Sequence, residues 1–391
     1  MKTHSAAAWV AALFLASCLF GHTVSVRLLL LAAGIILASV VVSTRQARSL
    51  PPIWIPFLLW GAWALASLAW SIEAERTLKE WRNEVFYTGA ALWICFVAAQ
   101  ARDVLRIFLP VLGIAAAGTC AIALYEFRRG WEPYLAGWHG GPGDHSSALL
   151  VLLPCVVMTG WYGVRTGWRP WILACTGALV LLLFASAYTT LNRTIWLGFG
   201  VQLLMLGVLT LWRARARGIA AAITVVVVAG CGVIMLNIQA ERTATMGAKS
   251  FEEDPRLTLW PRIAEHVQER PVTGYGFGRG LLRDSLQQEL RSFDQHLWHA
   301  HNIFLEALVQ LGVPGVFLLA LLLGAVLRAG WRLAQSTDKA AAACGIALMA
   351  VVAGTLVRNM TDSLFVRQNA LLFWGVVGVL LALGARSRAA P

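Results

Sequence analysis

Three places in this chain carry side chains suited to chemistry on a phosphorylated lipid at a membrane surface. The first is His301-Asn302, which opens an apolar run that starts at Ile303 and reaches about Leu327. Nine residues separate Asn302 from Gly312, and Pro314-Gly315 follow. A helix N-terminus presents unpaired N–H groups and a partial positive charge, so it draws anions. An imidazole at such a mouth can take a proton from a hydroxyl nucleophile. The second place is Arg193, in the short link Leu191-Asn192-Arg193-Thr194 between two apolar runs, and the third is Arg256, just ahead of Trp260. Two guanidinium groups can clamp a diphosphate through two-pronged contacts. Nearby cations also keep an imidazole neutral and therefore basic.

Each group has a plainer reading on its own. His301 can be an interfacial histidine at a helix cap, Arg193 can snorkel to headgroups, and Arg256 can be a solvated loop arginine. Only in combination do they outline a site. His296 and His299 lie close to His301, but no Cys or acid stands at ligand spacing, so no metal is expected. They are expected to tolerate substitution better than His301.

Composition decides what must position these residues. Of 391 residues, 58% are hydrophobic and 13% charged, and mean hydropathy is +0.67. No soluble core hides so much apolar sequence, so the expected fold is an all-α polytopic membrane protein. Runs long enough to span fall at about 6–20, 24–42, 53–70, 85–99, 104–124, 146–163, 169–187, 194–212, 218–236, 302–327, 340–357 and 369–385. That makes about 12 transmembrane helices. The organisation expected is helices one to nine in 1–236, a long helical loop in 237–301, and the last three helices with a short tail in 302–391. All seven cysteines lie in apolar runs, so no disulfide is expected.

Charge placement sets the orientation. With the N-terminus in the cytoplasm, the inner segments hold Lys2, Arg45, Arg48, Arg102, Arg106, Arg165, Arg169, Arg213, Arg215, Arg217, Arg328, Arg332, Lys339, Arg386 and Arg388. These are short loops with few acids, the pattern of cytoplasmic loops. The net charge of +12 is thus accounted for without nucleic acid. The long loop holds eight basic and nine acidic residues, so it carries no basic excess and belongs outside. In that loop Thr258 is expected to cap a helix that buries Trp260, Ile263, Ala264 and Val267 and stops at Pro271. Gly274-Tyr275-Gly276-Phe277-Gly278 reads as a flexible turn, and 280–292 as a second amphipathic helix. Residues 71–84 suggest an interfacial helix. Nearly every charge lies at a span end, and neither broken helices in matched halves nor midplane charges are apparent, which disfavours a lipid or solute transporter.

The order Arg193, Arg256 with Trp260, Pro271-Val-Thr-Gly274-Tyr275-Gly276, then His301-Asn302 and Gly312 resembles the O-antigen ligase family, over about 145 to 380. This family includes O-antigen polymerases and bacterial protein O-oligosaccharyltransferases. The resemblance implies a glycosyltransferase of the membrane-embedded GT-C-like class, inverting and free of metal and cofactor. It implies a donor of O-antigen on undecaprenyl diphosphate, a lipid A–core acceptor, and a site facing the periplasm from the bacterial inner membrane, with both termini cytoplasmic. It assigns the catalytic role to His301 and diphosphate binding to Arg193 and Arg256, with Asn302, Tyr275, Gly274 and Gly276 in support. Many members have Ser-Arg where this chain has Asn192-Arg193. Asp144-His145-Ser146 stands where relatives often have an Asn-rich segment.

Overall fold

A computed structural model of the chain describes residues 2–44, 46–48, 50–213, 226, 229–238, 240, 256–279, 281, 299–361 and 366–386. Every regular element among them is helical. In chain order these are α1 (Lys2–Ser17), α2 (Val24–Ser43), α3 (Trp54–Ala66), α4 (Ala74–Trp81), α5 (Tyr87–Ala98), α6 (Val104–Arg129), α7 (Trp131–Leu135), α8 (Gly141–Thr166), α9 (Pro170–Thr189) and α10 (Arg193–Arg213). Then come α11 (Ala229–Ile238), α12 (Arg256–Glu269), α13 (Ile303–Ala334), α14 (Lys339–Asn359) and α15 (Arg367–Arg386). Eight of these are long and apolar enough to cross a membrane: α2, α6, α8, α9, α10, α13, α14 and α15. With the shorter apolar helices α1, α3 and α11, the chain is a multi-pass membrane protein.

The centre of the bundle is α15, 83% of whose apolar window is enclosed by protein. It lies against α5, and α14 lies against α8, α10 and α13. Between α13 and α14 the backbones nearly touch: a Cβ on Gly345 would meet the Gly330 carbonyl oxygen at 2.5 Å. Lipid offers no hydrophobic drive between helices, so small residues that admit close packing stabilise such contacts.

Cross-links between helix ends sort the bundle into two faces. On one, Lys339 Nζ donates to Arg165 O at 3.3 Å, Arg386 Nη1 donates to Ala101 O at 2.5 Å, and Ser5 Oγ donates to Asp103 Oδ2 at 2.9 Å. On the other, Gly21 N donates to Trp138 O at 2.6 Å and Asn302 Nδ2 to Met360 O at 3.1 Å. Arg165, Lys339 and Arg386, three of the basic residues read as cytoplasmic, lie at the first face. His301 and the amino ends of α10 and α13 lie at the second.

Several local expectations change. The helix in the long loop starts at Arg256, so Thr258 lies inside it and does not cap it. Leu259 and Ile263 are its buried residues, with Trp260 and Val267 packed beside them, while Ala264 is exposed. One helix starts five residues earlier than the apolar run suggests: α8 begins at Gly141 and takes in Asp144. The helix expected over 280–292, His296, and most of the span at 218–236 lie outside the described residues.

The main departure is in α13. Its backbone leaves the helix at Gly312 (φ 67°, ψ −170°), so a broken helix is present where none was expected. The break frees polar groups. Val313 gives its N–H to Pro271 O at 2.8 Å, and Pro314 has no N–H to give. The Val309 and Gln310 carbonyls accept instead from Tyr275 N at 2.9 Å and Gly276 N at 3.0 Å. The Leu311 carbonyl accepts from the Trp63 indole at 3.0 Å. The 271–278 segment, read from sequence as a flexible turn, is therefore inserted into the helix break and held there by backbone hydrogen bonds. Its other side is fixed too: Ile72 N donates to Tyr275 O at 3.1 Å, Phe277 N to Ser67 Oγ at 3.0 Å, and the Trp70 indole to Thr273 O at 2.7 Å.

A Cβ at Gly312 would strike the Val272 carbonyl, in a left-handed conformation that side chains rarely adopt. Gly312→Ala is therefore expected to destabilise the protein by about 1–3 kcal/mol. Thermal unfolding in detergent, followed by tryptophan fluorescence, checks this, with Gly324→Ala, which has open space, as the neutral control.

Candidate active site

Asn302 sets the mouth of α13. Its Oδ1 accepts from Phe304 N at 2.9 Å and Leu305 N at 3.1 Å, the geometry of a helix N-cap. Its amide reaches across to Met360 O at the end of α14. The cap fixes where His301 must sit. His301 has φ 49°, a conformation uncommon for a side-chain-bearing residue, and it is half-buried. Just ahead of it, Ala300 is fully buried, with its carbonyl accepting from the Trp260 indole at 2.9 Å. This contact ties α12 to the histidine.

Arg256 is the first residue of that same α12, one turn before Trp260, and is half-buried. Arg193 is the first residue of α10, also half-buried. Asn192 caps α10: its Oδ1 accepts from Thr194 N at 3.0 Å and Thr194 Oγ1 at 2.9 Å. A serine at this position can make the same kind of cap, so the expectation that Asn192 stands in for it has a physical basis. One turn after Arg193, Trp196 borders a cavity of about 820 Å³ that is also lined by Phe184, Tyr188, Ile234 and Asn237. Thus both arginines stand at helix amino ends on the face that carries His301. The α10 helix reaches that neighbourhood through α14, and α12 through Trp260.

The supporting residues act through the backbone. Gly274 (φ 64°) lies so close to α13 that a Cβ would meet the Gln310 and Val309 carbonyl oxygens at 2.5 Å. Gly276 is crowded in the same way by Ser71. Tyr275 donates its N–H to the break, while its ring lies beneath the Arg270 guanidinium at 4.9 Å.

Sequence reasoning missed the polar groups behind His301. The His299 ring lies against the His301 ring, with centroids 3.7 Å apart and planes at 31°. His299 is buried and meets Arg279 through Nε2. Its Nδ1 lies 3.5 Å from Glu306 Oε2. Glu306 is 4% exposed, accepting from Ala300 N at 2.9 Å and from Gln310 Nε2 at 2.9 Å. The Gln310 side chain in turn accepts from Gly278 N at 3.0 Å. So His299, expected to stand aside, is built into the site. A signal was present: Glu306 and Gln310 are spaced i, i+4 inside an apolar span, and acids at membrane depth are costly unless they have a role. Asp144 is enclosed as well, receiving Gln368 Nε2 at 2.8 Å and Asn369 Nδ2 at 2.9 Å from the start of α15.

Residues 178–320 match the family described as O-Antigen ligase. The matched segment contains Arg193, Arg256, the inserted 271–278 strand of backbone, His301, Asn302 and Gly312. It is narrower than the 145 to 380 over which a resemblance was expected. No curated protein matches the chain.

Burial pushes the His299 imidazole down from 6.5 to about 4, against the pull of the Glu306 carboxylate; Arg279 and His301 push the same way as burial. Between these values the unfolded chain binds a proton at His299 and the folded chain does not. Stability therefore falls as pH drops from about 6.5 towards 4. Thermal unfolding from pH 7 to pH 4.5 should show this slope. His299→Gln, which removes the titration, should flatten it relative to the parent protein.

Proposed function

We propose that this O-antigen ligase family member is a lipopolysaccharide O-antigen ligase of the bacterial inner membrane, with its site on the periplasmic face and both termini in the cytoplasm. The donor is O-antigen polymer on undecaprenyl diphosphate, and the acceptor is a sugar hydroxyl of lipid A–core. The observation that carries this reading is the set position of His301: at the capped mouth of α13, inside the matched segment, with its backbone held from both sides by Asn302 and by Trp260 through Ala300.

His301 takes the proton of the acceptor hydroxyl as that oxygen attacks the anomeric carbon. The new glycosidic bond forms while the bond from anomeric carbon to diphosphate oxygen breaks, and its electron pair leaves with undecaprenyl diphosphate. A single displacement of this kind inverts the anomeric centre. Arg193 and Arg256 hold the diphosphate and offset the charge it gains, a preorganised electrostatic contribution. The diphosphate is a good leaving group, so no general acid is required on that side. The aromatic-lined cavity one turn from Arg193 suits the polyprenyl chain, which must extend into lipid.

The same chemistry with a second glycan as acceptor makes an O-antigen polymerase, and with a protein hydroxyl a protein O-oligosaccharyltransferase. The lipopolysaccharide pattern of a deletion strain separates the first two. Loss of a ligase leaves long glycan on the lipid carrier, whereas loss of a polymerase leaves single units on the core.

Transfer from purified lipid-linked donor to core acceptor tests the site. His301→Ala is expected to abolish transfer without loss of membrane insertion; near-normal transfer would rule out the base. Lysine keeps the charge of arginine but loses its fork. Arg193→Lys and Arg256→Lys should each slow transfer about ten- to a hundredfold, the effect of losing a charged hydrogen bond of roughly 1.5–3 kcal/mol. The exposed Arg128 should accept lysine with little effect. Since guanidinium groups fill the place of a metal, activity should also survive EDTA; loss on chelation, restored by Mg²⁺, would contradict the clamp.

A further inference from the structure

Glu306 is an acid buried in the first turn of the long apolar helix α13, and the transfer chemistry described above does not use it. A buried carboxylate is costly unless it is hydrogen-bonded and has a charge to answer. Its hydrogen bonds are complete enough to fix it: Ala300 N holds Oε2, and Gln310 Nε2 holds Oε1. Its place in the first turn of α13 is also favourable for an anion. Ala300 immediately precedes His301, so the carboxylate grips the backbone that carries the imidazole. On the side-chain route, Glu306 faces His299, and His299 lies flat against His301. Arg279 closes the far side of His299. Nδ1 of His299 accepts the backbone N–H of His301 at 3.0 Å and lies 3.5 Å from Glu306 Oε2, so His299 holds the His301 backbone as well as its ring.

We propose that Glu306, acting through His299, is the positioning residue of the transfer site: it fixes the His301 ring and offsets the positive charge that ring acquires when it takes the acceptor's proton. The proposal rests on the base role of His301. In it, His301 gains the proton, the acceptor oxygen keeps its electron pair for the new bond, and Glu306 remains a carboxylate throughout. The carboxylate thereby stabilises a charge that exists only once the proton has moved, which raises the turnover rate rather than substrate affinity.

Other charged groups stand around this cluster. Arg279 comes from the inserted segment, and Glu84, at the amino-terminal end of α5, interacts with both Glu306 and Arg279. Arg358 ends α14 beside the Asn302 contact, and Arg256 starts α12. Among these groups, Glu306 is the acid that stands directly behind His299.

The test is the pH profile of transfer by the full-length protein in proteoliposomes. Glu306→Gln removes the charge and keeps the shape. It should lower kcat about ten- to a hundredfold with KM for the donor unchanged, and move the acid limb of the profile to lower pH, because the imidazolium loses its counter-charge. Glu306→Asp should recover part of the rate. A variant with normal kcat, or one whose kcat falls while the acid limb stays in place, overturns the proposal. If Glu306→Gln does not fold, His299→Phe keeps a ring against His301 and cuts the route to the carboxylate; it should show the same loss and the same shift, and a normal profile overturns the proposal. His301→Ala is measured alongside. If it stays active, the base reading fails. If it is inactive while the Glu306 and His299 variants behave as the parent, only the positioning role fails.

Discussion

Inside a bilayer no water is available to a backbone N–H or C=O that lacks a partner, and each one left open costs several kcal/mol. The break in α13 at Gly312 opens such groups at membrane depth, and the structure answers them one by one. Tyr275 and Gly276 donate to Val309 and Gln310, Trp63 donates to Leu311, and Pro271 accepts from Val313. Much of the site follows from this exchange. The inserted segment can enter only because Gly274 and Gly276 have no side chains to collide with α13 and Ser71. Once in place, it carries Arg279 to His299 and presents Gly278 to Gln310. A loop that would otherwise move over the membrane surface becomes part of the wall of the site.

The amino end of α13 is built to the same standard. Asn302 caps the helix and bonds to the end of α14, and Glu306 holds Ala300 from one turn below. Trp260 binds the Ala300 carbonyl from the opposite side. His301 is thus flanked by residues whose backbone atoms are fixed by α12, α13 and α14 together. Its left-handed backbone conformation is sustained by these neighbours, as a sparsely populated conformation must be. Rigid support of this kind suits a group that has to meet a reacting hydroxyl at hydrogen-bond distance.

The two faces of the bundle differ in character in a way that fits the proposed chemistry. Basic side chains at one face donate to carbonyls at helix ends, as Lys339 and Arg386 do. At the other face polar groups are enclosed: Asp144 with Gln368 and Asn369, His145 with Ser186 at 2.6 Å, Tyr134 with Thr189 at 2.9 Å. Hydrogen bonds cut off from water are stronger and hold one geometry. Under the proposed function, such order would help a surface that binds a large, charged lipid head and aligns one hydroxyl.

The sequence by itself determined the membrane class, most helix positions, and the alternation of helix ends between two faces. These depend on run length and on charge at the ends, which are local quantities. It also singled out His301-Asn302 at a helix mouth and the arginines that begin α10 and α12, since cap residues and short links are legible within a few positions. It misread Gly274 to Gly278 as a free turn, left Glu306 as part of an apolar helix, and set His299 aside. Only the tertiary structure decided those three. The partners of Tyr275 and Gly276 lie more than thirty residues away at Val309 and Gln310, and the partner of Leu311 lies at Trp63. Whether a glycine turn is mobile or inserted, and whether a buried acid is an error or a counter-charge, depends on which distant backbone groups need a partner. That need arises only when the helix breaks and the chain closes around it.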